Sequence, residues 1–124
     1  MTDSDPVIYQ PSEWGKRYHR TRADEIFGAG AAGLAAAIFA AQSNPSVRVT
    51  VLDGAKTIGA KILVSGGGRC NVTNHKVTAS DFHGNRKVID RILRRFTEND
   101  TCHWFDSLDV PLQTEPTGKL FPVS

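Results

Sequence analysis

A chain of 124 residues suits one domain, and it is short for an enzyme that binds both a whole dinucleotide and a substrate. Its 15 Lys and Arg against 13 Asp and Glu give a net charge of +2, which is too small to predict a nucleic-acid partner. With two cysteines and no apolar run of the ~20 residues that a membrane span needs, it is predicted to be cytoplasmic, without a disulfide framework or membrane partner.

The first 22 residues are polar, and they include two prolines and a basic cluster from Lys16 to Arg22. This composition predicts a disordered or loose arm. Alternatively, the stretch Val7 to Tyr9 could pair as a short strand. We therefore divide the chain into an arm at residues 1–22 and an incomplete domain at residues 23–124.

A strand is expected at residues 23–27, whose sequence is Ala-Asp-Glu-Ile-Phe. A central parallel strand is covered on both faces and usually consists of a continuous apolar run. Burial of an unpaired carboxylate in such a strand is costly. We therefore expect either a short strand or one that begins after Asp24 and Glu25, with only Ile26 and Phe27 buried.

The hexapeptide at residues 28–33, Gly-Ala-Gly-Ala-Ala-Gly, has the pattern GxGxxG and opens an alanine-rich helix expected at residues 31–42. In a dinucleotide site, the first glycine allows a tight turn and the second lets the backbone approach a pyrophosphate. The third lets the helix pack closely on the strand. The beginning of the helix adds unpaired N–H groups and the positive end of the helix dipole.

A second strand is predicted at residues 47–52, which are rich in β-branched side chains. It ends at Asp53, twenty residues after Gly33. This offset matches the position at which an acidic residue meets the ribose 2′-hydroxyl of a dinucleotide. The alternative is that Asp53 serves only as a turn residue before Gly54.

A second glycine-rich stretch lies at residues 65–74, Ser-Gly-Gly-Gly-Arg-Cys-Asn-Val-Thr-Asn. It lacks the GK[ST] ending of a P-loop, so we expect no nucleoside-triphosphate site. We predict a loop that exposes its backbone and surrounds a polar ligand with donors, rather than a flexible linker. Cys70 has no CxxC partner, and we expect a small packed residue rather than a redox thiol.

The remaining residues predict two helices and a hairpin. Apolar spacing indicates an amphipathic helix over residues 85–96, and residues 97–100 offer caps for a second helix that buries Trp104 and Phe105. The turn at residues 116–118, Pro-Thr-Gly, predicts a β-hairpin. The histidines lack the spacing of metal ligands, so no metal site is expected.

The chain resembles the N-terminal part of the BaiN/RdsA-type NAD(P)/FAD-dependent oxidoreductases at residues 28–33, at Asp53, at residues 59–74, which contain the second glycine-rich stretch, and at residues 118–124, Gly-Lys-Leu-Phe-Pro-Val-Ser. This family is also labelled aminoacetone-oxidase-like flavoproteins. The resemblance runs from about Ile26 to Ser124 and covers roughly the first quarter of a family member. It implies an α/β fold, in which a Rossmann-like FAD-binding βαβ unit with parallel strands precedes a helical segment and a β-hairpin in an incomplete domain.

The resemblance also implies which residues bind FAD. Those expected at its pyrophosphate, adenosine ribose and flavin are Gly28, Gly30, Ala31, Ala32, Gly33, Asp53, Lys61, Ser65, Gly66, Gly67, Gly68, Arg69, Cys70 and Asn71. The family usually has glutamate at position 53 and often arginine at position 60, where this chain has Asp53 and Ala60. The implied reaction is hydride transfer from NAD(P)H, or from a substrate, to the flavin N5.

Three functional hypotheses remain open. The chain is the FAD-binding part of an oxidoreductase, a truncated and inactive remnant of one, or a non-enzymatic NAD-binding module. The second glycine-rich stretch favours FAD over a bare NAD fold, and the short length favours the remnant. The irregular strand before Gly28 and the ending at Ser124 favour a gene fragment or a frameshifted reading frame.

Overall fold

The computed structural model describes residues 7–9 and 23–123, and the chain divides into two compact units, Met1–Leu63 and Val64–Ser124. Each unit contains one small sheet. The complete elements of the first unit are, in chain order, β1 (Val7–Tyr9), β2 (Ala23–Phe27), α1 (Ala31–Ser43) and β3 (Arg48–Leu52). The helix α2 (Ala60–Gly68) includes the point at which the two units are divided.

The first unit is built on a βαβ arrangement. The strands β2 and β3 are parallel and are connected through α1, and β1 pairs in parallel with β3, which gives the strand order β1-β3-β2. The core consists of Ala29, Ala37, Val49 and Val51, all almost completely buried. Because α1 is rich in alanine, its backbone can approach the sheet closely. The predicted parallel βαβ unit is confirmed.

The strand β2 differs from our expectation in its extent and in its burial. Asp24 and Glu25 belong to the strand rather than preceding it. Phe27, predicted to be buried, is 74% exposed, whereas Ile26 is half-buried and packs against the core. Successive side chains of a strand point to opposite faces, so Ile26 lies towards α1 and Phe27 points away from it. The expectation of two adjacent buried residues was therefore wrong.

The strand β1 lies within the predicted N-terminal arm. Val7–Tyr9 pair with residues 50–52 of β3, so the short strand offered as an alternative is the one observed there. The other residues of the predicted arm lie outside the described residues.

The second unit contains a three-stranded antiparallel sheet and two helices. In chain order, its elements after α2 are β4 (Thr73–Asn74), a 3₁₀ turn (Ala79–Asp81), α3 (Arg86–Arg95), α4 (Glu98–Ser107), β5 (Leu112–Thr114) and β6 (Lys119–Pro122). The predicted pair of helices and the hairpin β5–β6 are confirmed. The strand order is β4-β6-β5, and β4 was missed, because its two residues fall in the stretch predicted to be a loop.

Side-chain caps fix the beginnings of both helices in the second unit. The Asn85 side chain accepts hydrogen bonds from the first turn of α3. Thr97 and Asp100 form a reciprocal capping box at the beginning of α4, as the sequence predicts. Trp104 and Phe105 are half-buried and meet edge to face, with ring centroids 5.2 Å apart. Within the described ranges, no helix has the length and apolar character needed to cross a bilayer.

Candidate functional site

The turn from β2 into α1 is formed by the first glycine motif. Gly28 has a φ of +98°, which side chains of L-residues rarely adopt. Its N–H donates to the carbonyl oxygen of Leu52, at the end of β3, over 2.6 Å. The first glycine therefore fastens the turn to the neighbouring strand in a conformation that requires glycine.

Gly33 lies where α1 approaches the end of β2. A β-carbon at this position would overlap the carbonyl oxygen of Gly28 and lie 2.9 Å from its carbonyl carbon. It would also lie 3.5 Å from Cγ2 of Ile26. No side chain fits between the helix and the turn, which is the close packing expected of the third glycine in GxGxxG.

Gly30 is the N-cap residue of α1 and lies in open surroundings. No described atom lies within 4 Å of the position that a β-carbon would occupy. Ala31 and Ala32 are exposed in the first turn, which contains no acidic residue. The N–H groups at this end can therefore donate to an approaching anion, and the positive end of the helix dipole favours its negative charge.

The Asp53 carboxylate, at the end of β3, reaches the same glycine turn. Its Oδ2 accepts a hydrogen bond from the N–H of Ala29, and its Oδ1 accepts one from the N–H of Ala55 over 2.7 Å. The carbonyl of Ala29 in turn accepts from the N–H of Gly59 over 3.0 Å. Ala29 and Gly59 were not among the predicted site residues, because backbone hydrogen bonds of this kind leave no mark in the side-chain pattern.

These hydrogen bonds leave Asp53 with acceptor capacity. An ionised carboxylate has about four acceptor positions, and the two backbone donors use one on each oxygen. The Gly54 N–H also interacts with the carboxylate, and the acceptor position that remains can take a ribose hydroxyl. The bond to Ala55 also makes Asp53 a turn-forming residue, so the predicted turn role is present beside any role in binding.

Titration of Asp53 provides a first test of this arrangement. Hydrogen bonds from the N–H groups of Ala55 and Ala29 hold the pKa of Asp53 below the ordinary value of an aspartate. Because the folded-state pKa is the lower one, the stabilisation is complete above the unfolded-state value, about 4, and is lost as the pH falls through the folded-state pKa. We expect an NMR titration of the Asp53 carboxyl carbon to give a lower midpoint in the folded chain than in a short peptide of residues 50–57. An equal or higher midpoint in the folded chain would contradict the hydrogen bonds described above.

The second glycine-rich stretch follows the helical residues of α2. The helix is interrupted at Ser65, whose ψ is 150°, and Gly66, Gly67 and Gly68 have φ values of +57°, +69° and +85°. Cys70 also has a positive φ, of +60°, and its N–H donates to the Ser65 carbonyl over 3.0 Å. The predicted loop is therefore a left-handed turn that closes on Ser65.

Two of these glycines differ in their surroundings. A β-carbon at Gly66 would lie 2.6 Å from Cε1 of Phe121 and 2.9 Å from the backbone nitrogen of Asn71. A β-carbon at Gly67 would meet no described atom within 4 Å. Gly66 is thus packed against β6, whereas the loop backbone is open to a ligand at Gly67.

Arg69, predicted to line the ligand, contacts three partners within its own unit. Its guanidinium forms an ion pair with Glu115, and the guanidinium carbon lies 4.2 Å from the ring centroid of Phe121. Its Nε donates to the carbonyl of Gly66 over 3.4 Å. Sequence reasoning missed Glu115 and Phe121 as neighbours of the loop, because Glu115 lies 46 positions away and carries no local signal.

The predicted site residues form two groups, one in each unit. The first group, around the ends of β2 and β3, consists of Gly28, Gly30, Ala31, Ala32, Gly33 and Asp53. Lys61 is an exposed residue of α2 in the same unit, as is Ala60. The second group, in the left-handed turn of the other unit, consists of Ser65, Gly66, Gly67, Gly68, Arg69, Cys70 and Asn71. Binding by either group remains a prediction.

Comparison with known proteins matches residues 24–124 to the family described as HI0933-like protein Rossmann domain. The chain is 43% identical over 100 residues to a 3-dehydro-bile acid delta(4,6)-reductase of Clostridium scindens. That match covers 80% of this chain and 24% of the reductase. The chain is 40% identical over 97 residues to a ribosomal RNA dihydrouridine synthase of Haemophilus influenzae and 37% identical over 97 residues to one of Escherichia coli. Each match covers 77% of this chain and 24% of the relative, so the chain spans about a quarter of the length of these relatives.

Proposed function

This chain belongs to the HI0933-like Rossmann-domain family, which is related to flavin-dependent oxidoreductases, and we propose that it provides their FAD-binding part. The observation that supports this most directly is the hydrogen bond from the N–H of Ala29 to the carboxylate of Asp53. That bond puts the acidic residue beside the glycine turn, as a site for the ADP part of a dinucleotide requires.

We propose that the ADP part of FAD binds across the ends of β2 and β3. The pyrophosphate would accept hydrogen bonds from the first-turn N–H groups of α1, beside Gly30, Ala31 and Ala32. Asp53 would accept a hydroxyl of the adenosine ribose through the acceptor position that the backbone N–H groups leave open. Because a carboxylate repels a 2′-phosphate, this site fits FAD or NAD and disfavours NADP.

The second glycine-rich turn is proposed to face the flavin, as the family resemblance implies for Lys61 and residues 65–71. The backbone beside Gly67 is the part of the turn with room for a planar ligand. A bound flavin would supply the redox chemistry, with NAD(P)H as the proposed electron donor. The residues of this chain would hold and orient the cofactor, and we assign none of them as an acid or a base.

The names of the relatives suggest a class of reaction for the whole protein. A delta(4,6)-reductase of a 3-dehydro-bile acid and a synthase that makes dihydrouridine both add hydrogen to a ring carbon–carbon double bond. We therefore propose reduction of such a bond in a conjugated ring. The net charge of +2 argued against a nucleic-acid partner, but two relatives are named for ribosomal RNA, so RNA and a small molecule are both candidate substrates.

Cofactor binding can be measured by titrating FAD into the purified chain and following the quenching of flavin fluorescence. We expect saturable binding that ADP competes away, because ADP would occupy the glycine turn and Asp53. Riboflavin lacks the ADP part and serves as the matched control, so it should bind much more weakly. Binding of NAD or ADP-ribose without FAD would support the non-enzymatic NAD-binding module, and binding of none of them would support the inactive remnant.

A further inference from the structure

The left-handed turn at residues 66–70 requires support from outside itself. Four of its five residues have a positive φ, and one of the four, Cys70, is not a glycine. A non-glycine residue in this region costs of order 1–2 kcal/mol, and three adjacent glycines add a large loss of backbone entropy on ordering. The hydrogen bond from the Cys70 N–H to the Ser65 carbonyl closes the turn on the residue that precedes it.

The side chain of Arg69 supplies a connection to the hairpin β5–β6. One guanidinium forms the ion pair with Glu115, lies over the ring of Phe121 and donates to the carbonyl of Gly66. The partners are themselves well fixed. Phe121 is 3% exposed in β6, and Glu115 lies at the hairpin turn, where its N–H donates to the Lys119 carbonyl over 2.8 Å.

We propose that Arg69 is a positioning residue, which holds the glycine-rich turn against the hairpin and thereby orients the open backbone at Gly67, without contacting the cofactor itself. The charge of Arg69 is compensated by Glu115, and one face of its guanidinium lies against Phe121. What the turn presents to a ligand is then its backbone. The proposal rests on the proposed function, since the turn is taken to face the flavin.

Lysine is an informative replacement at this position. Arg69→Lys keeps the positive charge beside Glu115 but lacks the flat, forked group that can stack on Phe121 and bond to the Gly66 carbonyl together. Glu115→Gln removes the ion pair and keeps the guanidinium over Phe121. Arg91→Lys, on the exposed part of α3, is the matched control for the same chemical change.

The first measurement is amide hydrogen exchange of the ligand-free chain. We expect Arg69→Lys to speed exchange at the Cys70 amide, which donates to the Ser65 carbonyl, about tenfold and Glu115→Gln to have a smaller effect in the same direction, because both weaken the connection to the hairpin. Exchange in α3 and α4 should not change, which shows that the unit remains folded. Arg91→Lys should leave all of these rates unchanged. If Arg69→Lys does not fold, faster exchange at Cys70 in Glu115→Gln would support the proposal, and unchanged exchange there would overturn it.

The second measurement compares FAD with ADP as ligands of the same variants. We expect Arg69→Lys to weaken FAD binding about tenfold and to leave ADP binding within about twofold of the parent chain, because the turn is proposed to meet the flavin, which ADP lacks. Weaker FAD binding with unchanged exchange would mean that Arg69 contacts the cofactor, which would overturn the proposal, as would unchanged exchange and unchanged binding. If the parent chain binds no FAD, the proposed function fails, and the exchange rates alone decide whether Arg69 holds the turn.

Discussion

Replacing Gly33 with alanine is expected to prevent α1 from packing against the end of β2. The added methyl group would overlap the carbonyl oxygen of Gly28 and lie 2.9 Å from its carbonyl carbon. Backbone atoms cannot rotate out of the way as a flexible side chain can, so the helix itself must move. Because α1 covers the core residues Val49 and Val51, we expect the first unit to lose about 3 kcal/mol or more of its unfolding free energy.

The free energy of unfolding of this unit can be measured from hydrogen exchange at the Val49 and Val51 amides in increasing urea. Gly54→Ala is the matched control, since a β-carbon there meets no described atom within 4 Å. We expect the control to lie within about 1 kcal/mol of the parent chain. A Gly33→Ala chain as stable as the control would mean that the helix lies further from the turn than described here.

The βαβ unit could be predicted because all of its signals are local. Glycines at residues 28–33 set the turn, the alanine-rich run sets α1, and the β-branched run sets β3. The position of Asp53 follows from these, because the ends of two adjacent parallel strands lie at the same edge of a sheet. The spacing along the sequence therefore predicted that Asp53 lies near the glycine turn, and its carboxylate accepts a hydrogen bond from the N–H of Ala29 there.

The exposure of Phe27 could not be predicted from the same signals. Whether both faces of a strand are covered depends on which other elements pack there, and the sequence of β2 does not contain that information. A continuous apolar run is typical of a strand that is covered on both faces, and β2 is not such a strand. Within the described residues it pairs only with β3, and α1 lies on the side of Ile26. Pairing of β1 with β3 is likewise a contact between distant segments that no local pattern specified.

The second glycine-rich stretch could likewise be predicted only in part. Three glycines and a neighbouring Arg-Cys-Asn predicted a loop, and the left-handed residues confirm that the chain turns there. The sequence could not separate Gly66, which is closed against Phe121, from Gly67, which is open. Nor could it show that Arg69 is engaged by Glu115 and Phe121, because those partners come from the far end of the chain.

Replacing Gly30 with alanine is expected to weaken ligand binding while leaving the fold intact. The backbone at Gly30, with φ −83° and ψ −172°, suits alanine, and no described atom lies within 4 Å of the added β-carbon. Glycine and alanine differ at an N-cap by less than about 1 kcal/mol, so the unfolding free energy should change little. The methyl group would occupy the space through which a pyrophosphate reaches the N–H groups of Ala31 and Ala32. We expect FAD and ADP to bind about 100-fold more weakly, which is the equivalent of one or two charge-assisted hydrogen bonds.

Calorimetric titration of ADP and FAD into the Gly30→Ala chain measures this effect, with Ser46→Thr, which adds a methyl group at an exposed position beyond the other end of α1, as the control for added bulk elsewhere in the unit. Gly33→Ala should then lower the unfolding free energy and Gly30→Ala should weaken ligand binding, because the space beside Gly33 is filled by protein and the space beside Gly30 is open. If Gly30→Ala bound ADP and FAD as tightly as the parent chain, no pyrophosphate would bind beside this position, and the proposed site would have to be abandoned. Loss of stability equal to that of Gly33→Ala would mean instead that the space at Gly30 is part of the packing of α1 and is not kept open for a ligand.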